Sequence, residues 1–320
     1  INKVYAGSTT GVSYKPYIGF HKDSWTEDPS EVTISDNKYS GKLPDDRVFN
    51  RNKGKLFYSI SDAVSDAASQ NVIEIWPGHF KEHVYVNQKL HFVGSGTSRT
   101  IVNARYTGSP FFFDYNADGS SIKNLKVIKS TNTTSCCSYG YTQAGIGISG
   151  ANDLVIDNIH AESYNGLIMS SSQNVVVKNS KFEPDSSTTK YYGIRVYSSS
   201  YNSIIENNEV SGFSYGIAVE YLSYGIEVKN NYVHNNTNYG FYIYNVGQTS
   251  ARSNPIEIIN NRIVDNNYGI YKGDSSSSYG YAYHIKDNLF KSSSTDGIYG
   301  NWYSREWVVE NNTFDGDNDQ

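Results

Sequence analysis

A signature of the form apolar, any, Asn, any, any, apolar recurs eight times along this chain, from IKNLKV to VENNTF. Consecutive copies are 21 to 34 residues apart, so the core of the repeat is constant while its length varies. A repeat of this kind is typical of a solenoid whose coils carry loop insertions. The third position of the signature, which is Asp in one copy, is occupied by Asn124, Asn158, Asn179, Asn207, Asn230, Asn260, Asp287 and Asn311.

A second column, of glycines, interleaves with the first, and each glycine precedes an apolar residue. We expect the Asn residues to adopt the left-handed backbone conformation of a sharp bend, with their amides hydrogen-bonded from coil to coil. We expect the glycines to lie just before the next strand, where a side chain would obstruct the turn. Both columns are therefore interpreted as architecture. The glycines are Gly145, Gly166, Gly193, Gly216, Gly240, Gly269 and Gly297.

The residues around each Asn alternate between apolar and polar, as in Leu154 and Ile156 or Val175 and Val177. This alternation of mostly β-branched residues is the pattern of half-buried strands. One repeat is too short to bury a core by itself, whereas stacked repeats share a continuous core. The sequence therefore predicts an all-β protein, a coiled parallel sheet in which each repeat forms one coil.

The stretch VIEIWPGHFKEHVYVNQKLHFVGSGTSRTIV, residues 72–102, resembles the opening coil of pectinesterase-type β-helices. Together with the repeats, residues 55–320 resemble the secreted right-handed parallel β-helix proteins of the pectate-lyase-like superfamily. The resemblance implies a single-stranded right-handed parallel β-helix whose first coil is covered by a short N-terminal capping helix. Ser59 is suited to cap such a helix. An apolar stripe at helical spacing follows it, formed by Ile60, Ala63, Val64, Ala67 and Ala68.

The N-terminal stretch shows no repeat and is rich in Gly, Ser, Lys, Asp and Tyr. We therefore predict an N-terminal extension or docking arm over residues 1–52 and a parallel β-helix domain over residues 53–320. The arm is expected to wrap its own solenoid or to dock on a neighbouring subunit. The last coil, EWVVENNTF, carries no polar cap. An uncapped end exposes unpaired backbone groups that can join chains end to end.

The chain begins at Ile1, contains one Met and has no long apolar run. We interpret it as a mature secreted product, extracellular or at the cell surface, with no membrane span. A formal charge of −5 with mixed signs argues against nucleic acid as a partner. A disulfide between the adjacent Cys136 and Cys137 would be strained, so we expect free thiols or a bridge to another chain. Candidate glycosylation sites are Asn132, Asn235 and Asn311.

The resemblance implies lyases, hydrolases, esterases or epimerases that act on acidic polysaccharides. A lyase of this type needs acidic residues on adjacent coils to hold calcium, and an Arg or Lys as base. The outward columns supply one Arg and one Glu, and the pectinesterase segments Gln-Asp-Thr and Asp-Phe-Ile-Phe-Gly do not occur. The candidate catalytic residues are therefore Arg195 and Glu220, with His160 as a further acid or base.

Charge alternates in sign from coil to coil at the position before each Asn, apart from one isoleucine. Stacked neighbours of opposite sign attract each other, and each exposed pair contributes a few tenths of a kcal/mol. A groove for a charged polymer would gather one sign instead. We interpret this column as stabilising: Lys123, Asp157, Lys178, Glu206, Lys229, Ile259, Lys286 and Glu310.

Tyrosine accounts for 29 of the 320 residues, and two sets of tyrosines recur at fixed positions next to the column glycines. Stacked aromatic rows bind sugar rings, pack against another protein or simply stack along the coil. All three interpretations remain open from the sequence. The first stripe is Tyr192, Tyr215, Tyr239 and Tyr268, and the second is Tyr242, Tyr271 and Tyr299.

Calcium is suggested by DYNADG, in which Asp114, Asn116 and Asp118 supply alternate oxygen ligands. The twelfth position of this loop is Leu125, where a bidentate Glu is expected. The segment is therefore interpreted as a turn with calcium as an option, and no cofactor is required.

Two functions of different classes follow. The first is a non-catalytic extracellular structural protein, a filament, appendage or surface-layer subunit, which self-assembles through its arm, its solenoid ends and its tyrosine faces. The second is a polysaccharide-active lyase or epimerase, or a carbohydrate-binding protein, in which the insertions 130–143, 183–191, 246–255 and 272–282 shape a groove. The sequence favours the first function, because no catalytic cluster is evident, but the fold itself hosts both.

Overall fold

The computed structural model describes residues 47–104, 108–129, 144–185, 190–246, 254–273, 282–300 and 306–316. The N-terminal elements are β1 (Val48–Asn50), β2 (Lys55–Phe57), α1 (Ile60–Asp66), β3 (Val72–Ile75), β4 (Gly78–Phe80), β5 (Val84–Val86), β6 (His91–Gly94), β7 (Thr100–Asn103), β8 (Phe111–Phe113) and β9 (Ser121–Lys129). The central strands are β10 (Ala144–Ser149), β11 (Val155–Ser163), β12 (Asn165–Ser170), β13 (Val176–Lys178), β14 (Lys181–Glu183), β15 (Tyr192–Tyr197), β16 (Ile204–Glu206), β17 (Glu209–Ser211), β18 (Tyr215–Glu220), β19 (Glu227–Lys229) and β20 (Tyr232–His234). The C-terminal strands are β21 (Tyr239–Tyr244), β22 (Ile256–Ile259), β23 (Arg262–Val264), β24 (Tyr268–Gly273), β25 (Ala282–Lys286), β26 (Leu289–Lys291), β27 (Asp296–Gly300), β28 (Glu306–Glu310) and β29 (Thr313–Asp315).

The strands form three parallel ladders that run along one axis. The first sheet follows β3, β6, β9, β11, β13, β16, β19, β22, β25 and β28, and the second follows β4, β7, β9, β11, β14, β17, β20, β23, β26 and β29. The third sheet follows β5, β8, β10, β12, β15, β18, β21, β24 and β27. The long strands β9 and β11 belong to both of the first two sheets. The predicted fold class, a right-handed parallel β-helix, is confirmed.

The N-terminal end of the solenoid is closed by a hairpin and a helix. β1 pairs antiparallel with both β2 and β3, so residues 48–50 pair with the start of the solenoid. The division into an arm and a domain after residue 52 stays a prediction. The predicted capping helix forms as α1, and the side chain of Ser59 accepts a hydrogen bond from the backbone amide of Asp62 at 3.0 Å. It ends at Asp66, so Ala68 lies beyond it. Residues 1–46 of the predicted arm lie outside the described residues, and the arm stays a prediction.

The Asn column lies at the corner between the first and second sheets, as predicted. Every member has a positive φ, between 50° and 60°, which is the left-handed conformation that Asn tolerates and a tight corner needs. Amide stacking within the column joins Asn158 to Asn124 at 2.9 Å and Asn260 to Asn230 at 2.7 Å. These members are exposed, and the longer run of amide bonds lies elsewhere.

That longer amide ladder is formed by the residue that follows each of the last five members of the column, a role that the sequence interpretation does not assign. The side-chain amide of each member donates to the Oδ1 of the next at 3.0 to 3.1 Å, and the backbone amide donates to the same oxygen at 2.8 to 2.9 Å. The corner needs the backbone conformation of the first Asn and the hydrogen bonds of the second. The members are Asn208, Asn231, Asn261, Asn288 and Asn312.

The glycine column was predicted to lie just before the strands, and this position was wrong. These glycines lie inside the strands of the third sheet, and none of them has a positive φ. A Cβ on Gly193 would lie 2.3 Å from Val210 Cγ1 and 2.5 Å from the carbonyl oxygen of Gly216. The column is therefore required by the close approach of one coil to the next and to the core.

The alternating charge column is in register, as predicted, with Glu206 between Lys178 and Lys229 on adjacent strands of the first sheet. Ion pairs join Lys229 to Glu206 at 3.7 Å and Lys286 to Glu310 at 3.3 Å. These pairs are partly exposed, so their contribution to stability is small. Among the described residues, no helix has the length and apolarity needed to cross a lipid bilayer.

Candidate carbohydrate-binding face

The outer surface of the third sheet carries both predicted tyrosine stripes. Tyr192, Tyr215, Tyr239 and Tyr268 occupy matching positions on β15, β18, β21 and β24, because parallel pairing places equivalent residues one above another. Their ring centroids are 5.0, 5.3 and 5.5 Å apart in this order. The first stripe predicted from the sequence is thus continuous over four coils.

The second stripe lies beside the first. The rings of Tyr242, Tyr271 and Tyr299 are nearly parallel, with centroids 6.0 and 5.0 Å apart and interplanar angles of 11°. The two stripes contact each other, and the closest rings across them are Tyr239 and Tyr271, at 4.6 Å. The sheet therefore presents one joined aromatic surface.

Four further tyrosines extend this surface beyond the two predicted stripes. Tyr191 packs edge-on against Tyr192 at 4.6 Å, and Tyr244 stacks on Tyr242 at 6.0 Å. The sequence signal for part of this extension was the outward column two residues after the second stripe. We call the whole set the tyrosine face: Tyr191, Tyr192, Tyr197, Tyr215, Tyr221, Tyr239, Tyr242, Tyr244, Tyr268, Tyr271 and Tyr299.

The rings of the tyrosine face differ in exposure. Tyr191 and Tyr221 are each 40% exposed and Tyr299 is 42% exposed, whereas Tyr192 is buried. Because the rings of the second stripe stack nearly parallel, each covers the face of its neighbour and the ring edges remain as the more accessible part. The surface thus combines apolar ring edges with a row of hydrogen-bonding groups.

The predicted candidates Arg195 and Glu220 meet within this face. Arg195 lies on β15 and Glu220 on β18, and the Nε of Arg195 forms an ion pair with the Oε2 of Glu220. The guanidinium carbon is 4.5 Å from the ring centroid of Tyr192 and 4.1 Å from that of Tyr197. Ala218, the register partner of Arg195, is small and buried, which leaves room for this side chain to lie along the sheet.

The pair is almost closed to solvent. The side chains of Arg195 and Glu220 are 15% and 5% exposed. Burial raises the pKa of Glu220, while the charge of Arg195 and a hydrogen bond from the Tyr192 hydroxyl act in the opposite direction. Burial also raises the pKa of Tyr192, so this phenol keeps its proton and donates a hydrogen bond to the carboxylate. Arg195, Glu220 and Tyr192 are thus engaged with one another.

The phenols of Tyr215, Tyr239 and Tyr271 keep their protons well above neutral pH. Burial, with neighbouring tyrosines as a smaller cause, raises the pKa of Tyr215 to about 12. Burial also raises the pKa values of Tyr239 and Tyr271. The hydroxyls therefore act as neutral donors and acceptors over the physiological range.

These shifts predict a loss of stability at alkaline pH. The folded protein holds phenol protons that the unfolded chain releases near pH 10, so it binds more protons in this window. The contribution of these phenols to the free energy of unfolding should be constant below pH about 10 and should fall as the pH rises to about 12. Urea midpoints measured across this range, together with the tyrosinate absorbance, test the prediction. A midpoint that is unchanged or rises would contradict it.

The third catalytic candidate, His160, lies on a different face. It belongs to the outer surface of the second sheet, where its Nε2 is 2.7 Å from Glu183 Oε1 and 3.8 Å from Glu162 Oε1. These three side chains have the donor types of a metal site. Lys181 and Lys126 form ion pairs with Glu183 and Glu162, which makes this cluster part of a charge network.

The segment considered for calcium forms a turn after β8. Asp114 Oδ1 accepts a hydrogen bond from the backbone amide of Asn116 at 2.9 Å, and its Oδ2 accepts one from Tyr85. Asp118 Oδ1 accepts from the backbone amide of Asn152, on the next coil, at 2.7 Å. The carboxylates thus hold the turn and join it to the next coil. Calcium at this segment stays a prediction.

The remaining site predictions are only partly within the described residues. Asn235 and Asn311 are exposed at corners, and glycosylation of them stays a prediction. Asn132, Cys136 and Cys137 lie outside the described residues, as do the central parts of the four insertions that were expected to shape a groove.

Solved structures with a similar fold include a DFA-IIIase and a pectin methylesterase. The chain is 14% identical to DFA-IIIase from Arthrobacter chlorophenolicus A6 without its lid, with a TM-score of 0.56. The match covers 78% of this chain and 79% of that one. For the same enzyme in complex with GF2 the identity is 15%, the TM-score 0.51 and the coverage 68% of this chain and 57% of that one. A pectin methylesterase in complex with hexasaccharide VII is 12% identical, with a TM-score of 0.51 and coverage of 74% and 86%.

Identities this low establish a common fold and nothing finer. No curated protein sequence gives a significant match to the chain. The family model described as "Right handed beta helix region" matches residues 100–279. Since this match spans more than half of the sequence, the chain belongs to the right-handed β-helix family.

Proposed function

We propose that this protein binds carbohydrate and holds a polysaccharide chain along the tyrosine face. The observation that carries the proposal is the joined set of partly exposed tyrosines around the Arg195–Glu220 pair on one sheet. Tyrosine offers an apolar ring and a polar hydroxyl, which match the apolar patches and the hydroxyl groups of sugars. The parallel register repeats these groups on every coil, so the surface suits a ligand that itself repeats.

The same geometry favours binding over catalysis at Arg195 and Glu220. Hydrolysis of a glycosidic bond generally uses two carboxyl groups that flank the bond, one as acid and one as base or nucleophile. The described strands of the third sheet carry two carboxylates, Glu220 and Asp296, and Asp296 lies three coils from Glu220. Glu220 is buried and engaged with Arg195, so it does not reach a bound sugar as an acid or base. We therefore assign the pair to the organisation of the face.

The structural comparisons support this proposal only through the fold. Two of the similar structures are complexes, of DFA-IIIase with GF2 and of pectin methylesterase with hexasaccharide VII. A right-handed β-helix is thus a scaffold on which carbohydrate can be held. An extracellular location, where such polymers occur, is part of the proposal.

Self-assembly was the function that the sequence favoured, and it stays a prediction. Its supporting observation is the last described coil, on which Val309 is 47% exposed and Phe314 is 45% exposed. This surface is separate from the tyrosine face. A protein that binds carbohydrate on one side and associates through its end is compatible with both proposals.

Substitution of the most exposed part of the second stripe tests carbohydrate binding. Tyr271→Ala and Tyr299→Ala remove two rings that stack at 5.0 Å, and each is expected to weaken polysaccharide binding about tenfold, the size of an interface hot spot. Affinity gel electrophoresis against a panel of soluble polysaccharides, followed by calorimetry on the best polymer, measures the effect. Circular dichroism confirms that each variant is folded.

The matched control is Tyr201→Ala. Tyr201 also stacks on a tyrosine of the next coil, Tyr224, at 5.2 Å and 3°, but it lies at the corner that follows β15. Tyr201→Ala should therefore leave polysaccharide binding unchanged. Equal losses from Tyr201→Ala and Tyr271→Ala, or no loss from either Tyr271→Ala or Tyr299→Ala, would place the binding surface elsewhere.

A further inference from the structure

The tyrosine face is nearly free of available positive charge. The described strands of the third sheet contain four charged residues: Arg195, Glu220, Lys272 and Asp296. Lys272 is fully buried and occupies an inward position between Ile243 and Gly300. Asp296 continues the first stripe, in register with Tyr268. The outer side of these strands therefore carries one cation and two carboxylates.

The one outward cation is engaged within the face. Its guanidinium lies over the rings of Tyr192 and Tyr197 and pairs with Glu220, and 15% of its side chain is exposed. A carboxylate of a ligand would compete with Glu220 for this guanidinium, and displacement of Glu220 would leave that buried acid with the Tyr192 hydroxyl as its partner. Recognition of a polyuronate needs the opposite arrangement, with exposed Arg or Lys side chains or a bound cation facing each acidic sugar.

We infer that the ligand of the tyrosine face is a polysaccharide of neutral sugars, and that the Arg195–Glu220 pair excludes polyuronates. This inference rests on the binding function proposed above. The neutral phenols supply donors and acceptors for sugar hydroxyls, whereas Glu220 and Asp296 disfavour a polyanion. Glu220 thus acts as a residue that determines specificity by neutralising the one cation.

Matched polymers that differ only in their carboxyl groups test this inference. The probes are polygalacturonate and mannuronan beside their carboxyl-reduced forms, and carboxymethyl cellulose beside hydroxyethyl cellulose. We expect the purified full chain to bind the neutral member of a pair at least about tenfold more tightly at low salt. The difference should shrink at high salt, because screening weakens the repulsion of the charged member.

A single substitution should abolish this preference. Glu220→Gln keeps the size of the side chain but removes the charge that neutralises Arg195, so binding of the acidic polymers at low salt should increase about tenfold and should then weaken as salt is added. The control is Glu257→Gln, which changes the net charge equally on the first sheet, where Glu257 is partly exposed and lies 3.3 Å from His284. This control should leave the preference unchanged. If Glu220→Gln does not fold, the salt dependence of the unsubstituted chain still decides.

The outcomes separate this inference from the proposed function. If the chain binds the neutral polymers more tightly and Tyr271→Ala weakens that binding, both the inference and the proposed function are supported. If the chain binds the acidic polymers more tightly and Tyr271→Ala weakens that binding, the neutral-sugar inference is overturned and the proposed carbohydrate binding is retained. Binding that Tyr271→Ala does not affect, or no binding to any of the six polymers, overturns both.

Discussion

Asn261→Ala is expected to lower the free energy of unfolding by about 3 to 5 kcal/mol, because several buried hydrogen bonds are lost together. The Oδ1 of Asn261 accepts from the backbone and side-chain amides of Asn231, at 2.9 and 3.0 Å. Its Nδ2 donates to the carbonyl oxygen of Val228 at 2.9 Å and to Asn288 Oδ1 at 3.1 Å. Alanine has no side-chain donor or acceptor, so these buried partners lose their hydrogen bonds. Urea denaturation followed by circular dichroism measures the loss.

The control is the neighbouring residue of the same type. Asn260→Ala changes an exposed corner residue with a φ of 53°, so its main cost is the left-handed conformation of alanine, about 1 to 2 kcal/mol. The difference between the two variants isolates the buried ladder. Equal losses would mean that the ladder adds nothing beyond the corner conformation.

Gly193→Ala should destabilise the solenoid by about 3 kcal/mol or more, since both atoms that obstruct the new methyl group are fixed. One is Val210 Cγ1 in the core, at 2.3 Å, and the other is the carbonyl oxygen of Gly216, at 2.5 Å. The second atom belongs to the backbone of the next coil, so relief of the contact would require the coils to separate. The same denaturation experiment, with thermal melting as a second measure, detects the effect.

Gly316→Ala provides the comparison. Gly316→Ala also replaces a glycine, but no atom of the described residues lies within 4 Å of the position that the new Cβ would take, and the φ of Gly316 is 74°. Its cost should therefore be limited to backbone strain, about 1 kcal/mol. A loss at Gly193 that is no larger than this would show that the coils tolerate a side chain there.

The repeat allowed most of the fold to be predicted, because the constraints that make it are local. A positive φ is tolerated by few residue types, so the corner at Asn207 is visible as an Asn. The register between coils follows from the same columns, and it correctly placed Glu206 beside Lys229 and Tyr215 beside Tyr239. The capping helix was readable from Ser59 and the apolar stripe that follows it.

The sequence was less informative where two residues of one pair have different roles. The Asn-Asn pair at residues 207 and 208 is a conspicuous signal, but period alone does not tell which amide points into the core. The structure assigns the backbone corner to Asn207 and the longer hydrogen-bond ladder to Asn208. Only the inward direction of the second residue, fixed by the packing of the coil, separates these roles.

The candidate face was predictable only in part. The two tyrosine stripes follow from position, whereas the contact of Arg195 with Glu220 runs diagonally from one outward column to another on the next coil. Column counting compares residues at the same position and so overlooks diagonal contacts. The length of the two side chains and the small Ala218 between adjacent coils allow this contact to form.

Hydroxyl-radical footprinting of the protein with and without a neutral polysaccharide tests the central claim most directly. The account predicts that Tyr242, Tyr271 and Tyr299 become protected from oxidation, while the stacked corner pair Tyr201 and Tyr224 keeps its reactivity. Protection confined to the corner pair or to the second sheet around His160, with the tyrosine face unchanged, would contradict it.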